Sequence, residues 1–356
     1  MGNKNVTAHD VDYIEIYTND WHRTTDYFVS KWGFRKQATS RTDELRSVLL
    51  RHNGIRLVVT SGPATAEHLA VHGDGIADIA FSCTDPEAVL AGAVAAGGRD
   101  LTAPGAADPV VSGFGAVRHT LVHRAPGAEH RLPAGRAWTP APAAADAAAD
   151  AVADDADGAA ELRLLDHIAV CLEAGTLHGT VDYYLDGFGF ERFYSEYVAV
   201  GDQAMDSIVV RSPSTGITFT ILEPDPAKKP GQINEFLQRN GGAGVQHLAF
   251  LVDEIVPAVL DFESRGIEFL QTPGTYYDAL AERIADLDET IPDLRKTNVL
   301  ADRDEWGFLL QLFSRSPFER RTLFFELIQR HGAQGFGSSN IRALYEAVER
   351  AREQAA

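Results

Sequence analysis

Two stretches of this chain, "GDGIADIAF" at residues 73–81 and "GAGVQHLAF" at 242–250, repeat one pattern at an interval of 169 residues. The repetition is wider than this pair. "VDYIEIYTNDWHRTTDYFVSKWGFRKQ" (11–37) parallels "LDHIAVCLEAGTLHGTVDYYLDGFGFERF" (165–193), and "HTLVHR" (119–124) parallels "FELIQR" (325–330). Self-similarity over such lengths means one supersecondary plan used twice, so two similar units are expected. Each opens with an alternating strand, continues into a helix with aromatics at helical spacing and closes on a Gly-Phe turn. Between the halves runs "APAAADAAADAVADDADGAAE" (141–161), whose Ala and Asp content reads as a solvated linker.

A chain of 356 residues is long enough for two units with a core each. Its net charge of −19 argues against nucleic acid and anionic membrane as partners, since phosphate binding needs clustered Lys and Arg. No apolar run approaches the roughly 20 residues that span a bilayer. The opening "MGNKNVTAHD" lacks the apolar segment of a secretory signal, so a cytoplasmic location is expected. Val6 stands where a myristoylation motif needs Ser or Thr. Cys83 and Cys171 lie in apolar strand-like segments and read as buried free thiols.

The repeat is informative where its copies differ. Tyr13, Asp78 and Thr120 in the first half stand opposite His167, His247 and Glu326 in the second. Two imidazoles and a carboxylate form the set that binds Fe(II) facially and leaves other positions open. Zinc also accepts this set, so ligand type leaves the metal open. Spacings of 80 and 79 residues place the three donors on separate strands of one unit. The first half retains the scaffold without the donors, which predicts one working copy and one structural copy.

The second half resembles the 4-hydroxyphenylpyruvate dioxygenase family, of the vicinal oxygen chelate fold. The resemblance rests on "LDHIAV", "GAGVQHLAF", "FLQTPGTYYDAL", "WGFLLQLF" and "TLFFELIQRHGAQGFGSSNIRALYEAVER", spanning about 165–350; the first half matches more weakly. It implies an α+β protein of two tandem open β-barrels, each of two βαβββ modules, with iron only in the C-terminal barrel. The expected organisation is a metal-free barrel over 1–125, an Ala/Asp/Pro-rich linker over 126–161 and a catalytic barrel with a C-terminal lid helix over 162–356. Carried over by position, the resemblance implies Fe(II) on His167, His247 and Glu326. It implies a substrate pocket of Ser207, Thr220, Leu222, Gln232, Gln246, Gln311, Phe313, Phe324, Phe336, Asn340 and Ile341. Independently of it, a polar Gln311 inside "FLLQLF" must find a buried partner or face a cavity. The implied partners are 4-hydroxyphenylpyruvate and O₂, and the implied assembly is a homodimer.

The family contains two activities on this substrate. One hydroxylates the ring and migrates the side chain, giving homogentisate; the other hydroxylates the benzylic carbon, giving 4-hydroxymandelate. Ring-hydroxylating members carry Pro-Ile-Asn in the strand after Ser207 and Phe after Asn340. Here Thr220, Leu222 and Ile341 occupy those positions, so the benzylic outcome is expected and homogentisate is the alternative. A metal-dependent binding protein without turnover is a more remote reading, and a zinc hydrolase is disfavoured because no His-Glu-x-x-His occurs. Ile341, Leu344, Tyr345 and Val348 fall on one face of a final helix, expected to start at a cap from Ser338 or Ser339.

Overall fold

The computed structural model describes residues 7–124, 131–142, 161–284, 287 and 290–343. The first half runs β1 (Ala8–Tyr17), α1 (Trp21–Asp26), β2 (Arg35–Arg41), β3 (Arg46–His52), β4 (Ile55–Ser61), α2 (Ala66–His72), β5 (Gly75–Cys83), α3 (Pro86–Ala95), β6 (Val110–Ser112), β7 (Arg118–His123) and β8 (Trp138–Pro140). The second half opens with β9 (Leu164–Cys171), α4 (Leu177–Phe188), β10 (Glu191–Val200), β11 (Gln203–Arg211), β12 (Thr218–Pro224) and α5 (Gln232–Asn240). It continues with β13 (Gly244–Leu251), α6 (Ile255–Ser264), α7 (Gly274–Asp278), α8 (Leu280–Arg283), α9 (Ile291–Thr297), β14 (Leu300–Arg303), β15 (Phe308–Phe313) and β16 (Phe324–His331). No described helix is long and apolar enough to cross a membrane. Cys83 and Cys171 are buried free thiols, and burial pushes Cys83 up to about 12.

Each half is one eight-stranded sheet, ordered β6-β7-β5-β1-β4-β3-β2-β8 and β10-β11-β12-β9-β13-β16-β15-β14. Read in opposite directions, the two orders superpose β1 on β9, β5 on β13 and β7 on β16. The antiparallel β1–β5 pair recurs as β9–β13, and the parallel β5–β7 pair as β13–β16. Even the irregularities repeat. Asp12 and Asp166 are the extra residues of bulges in β1 and β9; Ala77 and Gln246 are those of β5 and β13. A bulge re-aims the side chains beside it, so the scaffold that aims the second half's donors is present in both copies.

The halves differ at their edges. The second is two βαβββ modules, with α7–α9 inserted before β14. The first half's second module has only β6 and β7 after its helix; an isolated bridge, Asp100 to Val111, marks the place of the third strand. β8 instead pairs with β2 at the opposite edge. This corrects the expected linker over 126–161: Trp138–Pro140 belongs to the first sheet because its neighbours have partners there. Trp138 donates to Pro133 O at 2.6 Å, and Leu132 and Trp138 cover Tyr13, Leu49, Val58, Ala80 and Val122.

The halves are joined through their backs. Trp32-Gly33-Phe34 and Phe188-Gly189-Phe190 end equivalent helical segments, with the glycines at φ +74° and +70°, the left-handed region that favours glycine. Trp32 packs on Phe250 and Phe325 of the second sheet, and Phe188 packs on Phe81 of the first. Phe28 meets Phe325 at 5.4 Å, whereas the equivalent pair across the pseudo-symmetry is Tyr184 and His119. His119 is fully buried, its Nδ1 2.9 Å from Ile79 O and its Nε2 2.8 Å from Tyr184 Oη. Burial lowers His119 to about 4, so the fold holds it neutral. The unfolded chain binds the proton near pH 6.5; stability from this group is therefore full above 6.5 and falls toward pH 4, by about 3 kcal/mol in all. His119→Phe or Tyr184→Phe alone leaves a buried polar atom unpaired, costing about 1–3 kcal/mol. The double variant rebuilds the Phe28–Phe325 arrangement and is expected to recover most of that loss. Urea titrations from pH 7 to pH 4 check both points: the double variant shows a shallower acid loss than wild type, and equal slopes refute the assignment.

Candidate metal centre

His167, His247 and Glu326 sit on β9, β13 and β16, the three adjacent central strands of the second sheet. His167 pairs with Ala249, and Ala249 with Glu326. With strands about 4.8 Å apart, the two ligands flank an alanine too small to block them. His247, two residues before Ala249, projects from the same face. His167 Nε2 and His247 Nε2 lie 3.3 and 3.1 Å from Glu326 Oε2 and 3.4 Å from each other. Three donors this close can share one cation at about 2.0–2.2 Å from each. Among the described residues no other group of three His, Cys, Asp or Glu converges in this way.

A support layer fixes the donors. Asp166, on the β9 bulge, takes a hydrogen bond from His167 Nδ1 at 2.8 Å, which leaves Nε2 for a metal. Arg330 in turn grips both oxygens of Asp166 at 2.7 Å, lies over the Phe336 ring and donates to the carbonyls of Ala333 and Gly335. One guanidinium thus ties a ligand to the loop that carries Phe336. Burial opposes charge on Asp166, but Arg330 and His167 hold it well below the usual carboxylate range. Burial likewise opposes charge on His167, yet Glu326 and Asp166 outweigh it and raise it to about 9. His247 is lowered by burial, and Glu326 is held below its usual value by the two imidazoles despite burial. Glu326 Oε1 is buried with no hydrogen-bond partner, a cost that a bound cation relieves.

The triad opens into a cavity of about 450 Å³, within the range of small-molecule sites. Every residue carried over by resemblance lines it: Ser207, Thr220 and Leu222 on β11 and β12, Gln232 at the start of α5, and Gln246 on the β13 bulge. Gln311, Phe313 and Phe324 line it from β15 and β16, and Phe336, Asn340 and Ile341 from the segment after β16. Phe324 stacks on His247 at 5.1 Å, and Phe336 meets His167 edge-on at 4.9 Å. Gln311 lies against Gly337, where an added Cβ would fall 1.8 Å from Gln311 Oε1. Asn340 Oδ1 accepts from Tyr276 at 2.6 Å. Asn340 Nδ2 and Gln311 Oε1 are buried without hydrogen-bond partners behind the cavity wall, Gln311 Oε1 under Gly337.

The expected start of the final helix is revised. Residues 338–343 are helical, but the Ser339 N–H is taken at 3.0 Å by Asp302 Oδ2 of β14, so the helix start is anchored across the barrel by another strand. Leu344, Tyr345 and Val348 lie outside the described residues. Tyr194 and Glu196, cavity-lining residues of β10, were missed, although the alternation of "YSEYVAV" carries their signal. Asp166 and Arg330 were also missed; each precedes or follows a ligand on its own strand.

In the first half the equivalent positions are consumed internally. Thr120 Oγ1 donates to Asp78 Oδ2 at 2.6 Å, and Arg118 Nε to the same carboxylate at 3.0 Å. Arg136, from the stretch before β8, pairs with the buried Glu15. Burial raises Asp78, with Glu15 adding to the rise and Arg118 opposing it.

The model of the Glyoxalase/Bleomycin resistance protein/Dioxygenase superfamily matches residues 164–312. A 4-hydroxyphenylpyruvate dioxygenase of Yarrowia lipolytica is 30% identical over 97% of this chain and 92% of its own. One of Neurospora crassa is 35% identical over 81% of this chain and 72% of its own. Among solved structures, a triple mutant of 4-hydroxymandelate synthase from Streptomyces coelicolor is 48% identical. It aligns with TM-score 0.83 over 97% of this chain and 99% of that one.

Proposed function

Since the chain belongs to the 4-hydroxyphenylpyruvate dioxygenase family, we propose that it holds Fe(II) on His167, His247 and Glu326 and converts 4-hydroxyphenylpyruvate and O₂ into 4-hydroxymandelate and CO₂. The observation that carries this reading is the donor triangle itself, with the orphaned Glu326 Oε1 at the wall of a substrate-sized cavity. Catalysis is assigned to residues 162–356, and the first sheet, with Trp138–Pro140 as its edge strand, acts as scaffold.

Bound there, Fe(II) supplies a chelation site for the 2-oxo acid and activates O₂ for oxidative decarboxylation and hydroxylation. One oxygen atom enters the carboxylate formed from the keto carbon, the other enters the benzylic position, and the original carboxylate leaves as CO₂. The protein's part is placement. Asp166 and Arg330 hold His167 in one tautomer and orientation. Phe313, Phe324 and Phe336 surround the imidazoles and exclude water. Gln311 and Asn340 shape the polar part of the lining, Asn340 held in place by the Tyr276 hydroxyl.

The product assignment draws on two cavity residues. Leu222 and Ile341 pack against one apolar cluster with Val198, Met205, Ile233 and Phe236, so these two side chains offer the ring space and no hydrogen bond of their own. The experiment is product analysis after anaerobic Fe(II) loading and addition of 4-hydroxyphenylpyruvate and O₂. One 4-hydroxymandelate and one CO₂ per O₂ are expected. Homogentisate would overturn the product assignment and leave the iron site standing; no O₂ uptake overturns the whole reading.

A further inference from the structure

The cavity has a second charged group that the proposed reaction does not use. Tyr194, Glu196 and Val198 are alternate residues of β10 and face the cavity together. Tyr194 Oη donates to Glu196 Oε2 at 3.1 Å, fixing the carboxylate from one side. Its other oxygen, Oε1, has no hydrogen-bond partner among the described residues. Register places Glu196 beside Ser207, and Ser207 beside Leu222, in one inward row. On β9 that row reaches Cys171, four residues from His167, or about 13 Å along the strand. No described lysine or arginine lines the cavity. One end therefore suits a cation and the other end is anionic.

We propose that Glu196, braced by Tyr194, accepts the hydrogen bond of the substrate's para-hydroxyl and so selects both para-hydroxylated arylpyruvates and their orientation. This rests on the reading given above. A 2-oxo acid entering carboxylate-first toward Glu196 meets like charge, whereas a phenol O–H meets an acceptor. The reverse orientation is penalised twice, because it also removes the carboxylate from the cation. Leu222 makes the role specific to this chain: it offers no hydrogen bond, so the row's polar contacts fall to Ser207 and Glu196. Hydrogen bonds to a charged group are the strong ones, and deleting the acceptor costs roughly ten- to a hundredfold in affinity.

The test compares kcat/KM for 4-hydroxyphenylpyruvate and phenylpyruvate in wild type, Glu196→Ala, Glu196→Gln and Tyr194→Phe. Wild type is expected to prefer the hydroxylated substrate, and Glu196→Ala to reduce that preference at least tenfold. Glu196→Gln keeps the shape and loses the charge, and Tyr194→Phe loses the brace; both fall between. A structural role lowers both substrates alike, so equal losses overturn the proposal, as does an unchanged preference in Glu196→Ala. A wild type that turns over both substrates without preference overturns it while leaving the proposed reaction intact. Absence of turnover in the wild type overturns both.

Discussion

Alanine at Glu326, His167 or His247 is expected to abolish turnover and to weaken binding of a divalent cation more than about 100-fold. Tight sites with four protein ligands are worth about 10–16 kcal/mol, which is about 3 kcal/mol or more per donor. With three donors only, losing one leaves a pair that water displaces. Glu326→Ala carries the largest effect, because the carboxylate is the only anion of the set and lies within 3.3 Å of both imidazoles. Removing one member of the buried cluster is expected to cost about 3–5 kcal/mol of stability, because its charged partner is left uncompensated. Metal content after Fe(II) loading and dialysis, read beside circular dichroism, checks this. Tyr13→Phe, Asp78→Asn and Thr120→Val serve as controls with unchanged metal stoichiometry. A triad variant with full metal content removes its residue from the site; a control that loses metal shows that the first half takes part.

Ile341→Phe combined with Leu222→Asn is expected to divert part of the product from 4-hydroxymandelate to ring-hydroxylated compounds such as homogentisate. Either the ring carbon bearing the side chain or the benzylic C–H would be oxygenated, depending on which of them the cavity wall holds nearer the donor triad, and displacement by about 1 Å changes rates by orders of magnitude. Both residues pack against the same cluster as Val198 and Met205, so they act on the same part of the ring. A phenylalanine at 341 fills the space into which the ring turns. An asparagine at 222 puts an amide next to Ser207, where it competes with Glu196 for the phenol. The amide's desolvation slows turnover as well. Chromatography of paired reactions decides the matter: an unchanged product ratio sinks the claim that this wall directs the chemistry.

The donor set was legible because the chain carries its own comparison. His247 in an apolar strand is ambiguous alone, but with Asp78 at the same register of the other copy it becomes a departure that needs a reason. Gln311 apart, the pocket residues were legible only through family resemblance, since Phe313 or Leu222 has the pattern of any core position. The edges were not legible. Trp138–Pro140 lies in a Pro-rich stretch with no strand periodicity, and its pairing depends on an exposed edge at β2. Asp302 as anchor of the final helix joins residues 37 positions apart, a link without local spacing to announce it. Arg330 could have been found: it stands four residues after Glu326 and needs a carboxylate where the sequence offers Asp166.

The exchange of aromatic residues across the backs of the sheets bears on how such a chain can change over generations. A duplicated unit relieved of chemistry is ordinarily free to decay, because nothing selects for its integrity. Here Trp32 and Phe28 of the half without the triad rest on Phe250 and Phe325, which alternate along β13 and β16 with the positions that carry His247 and Glu326. Erosion behind the idle face would reach the donors through two strands. On the proposed reading, the copy without the triad is thus kept under selection by the copy that carries it, and its concave face, already filled by Glu15, Asp78, Arg118 and Arg136, is the part open to drift.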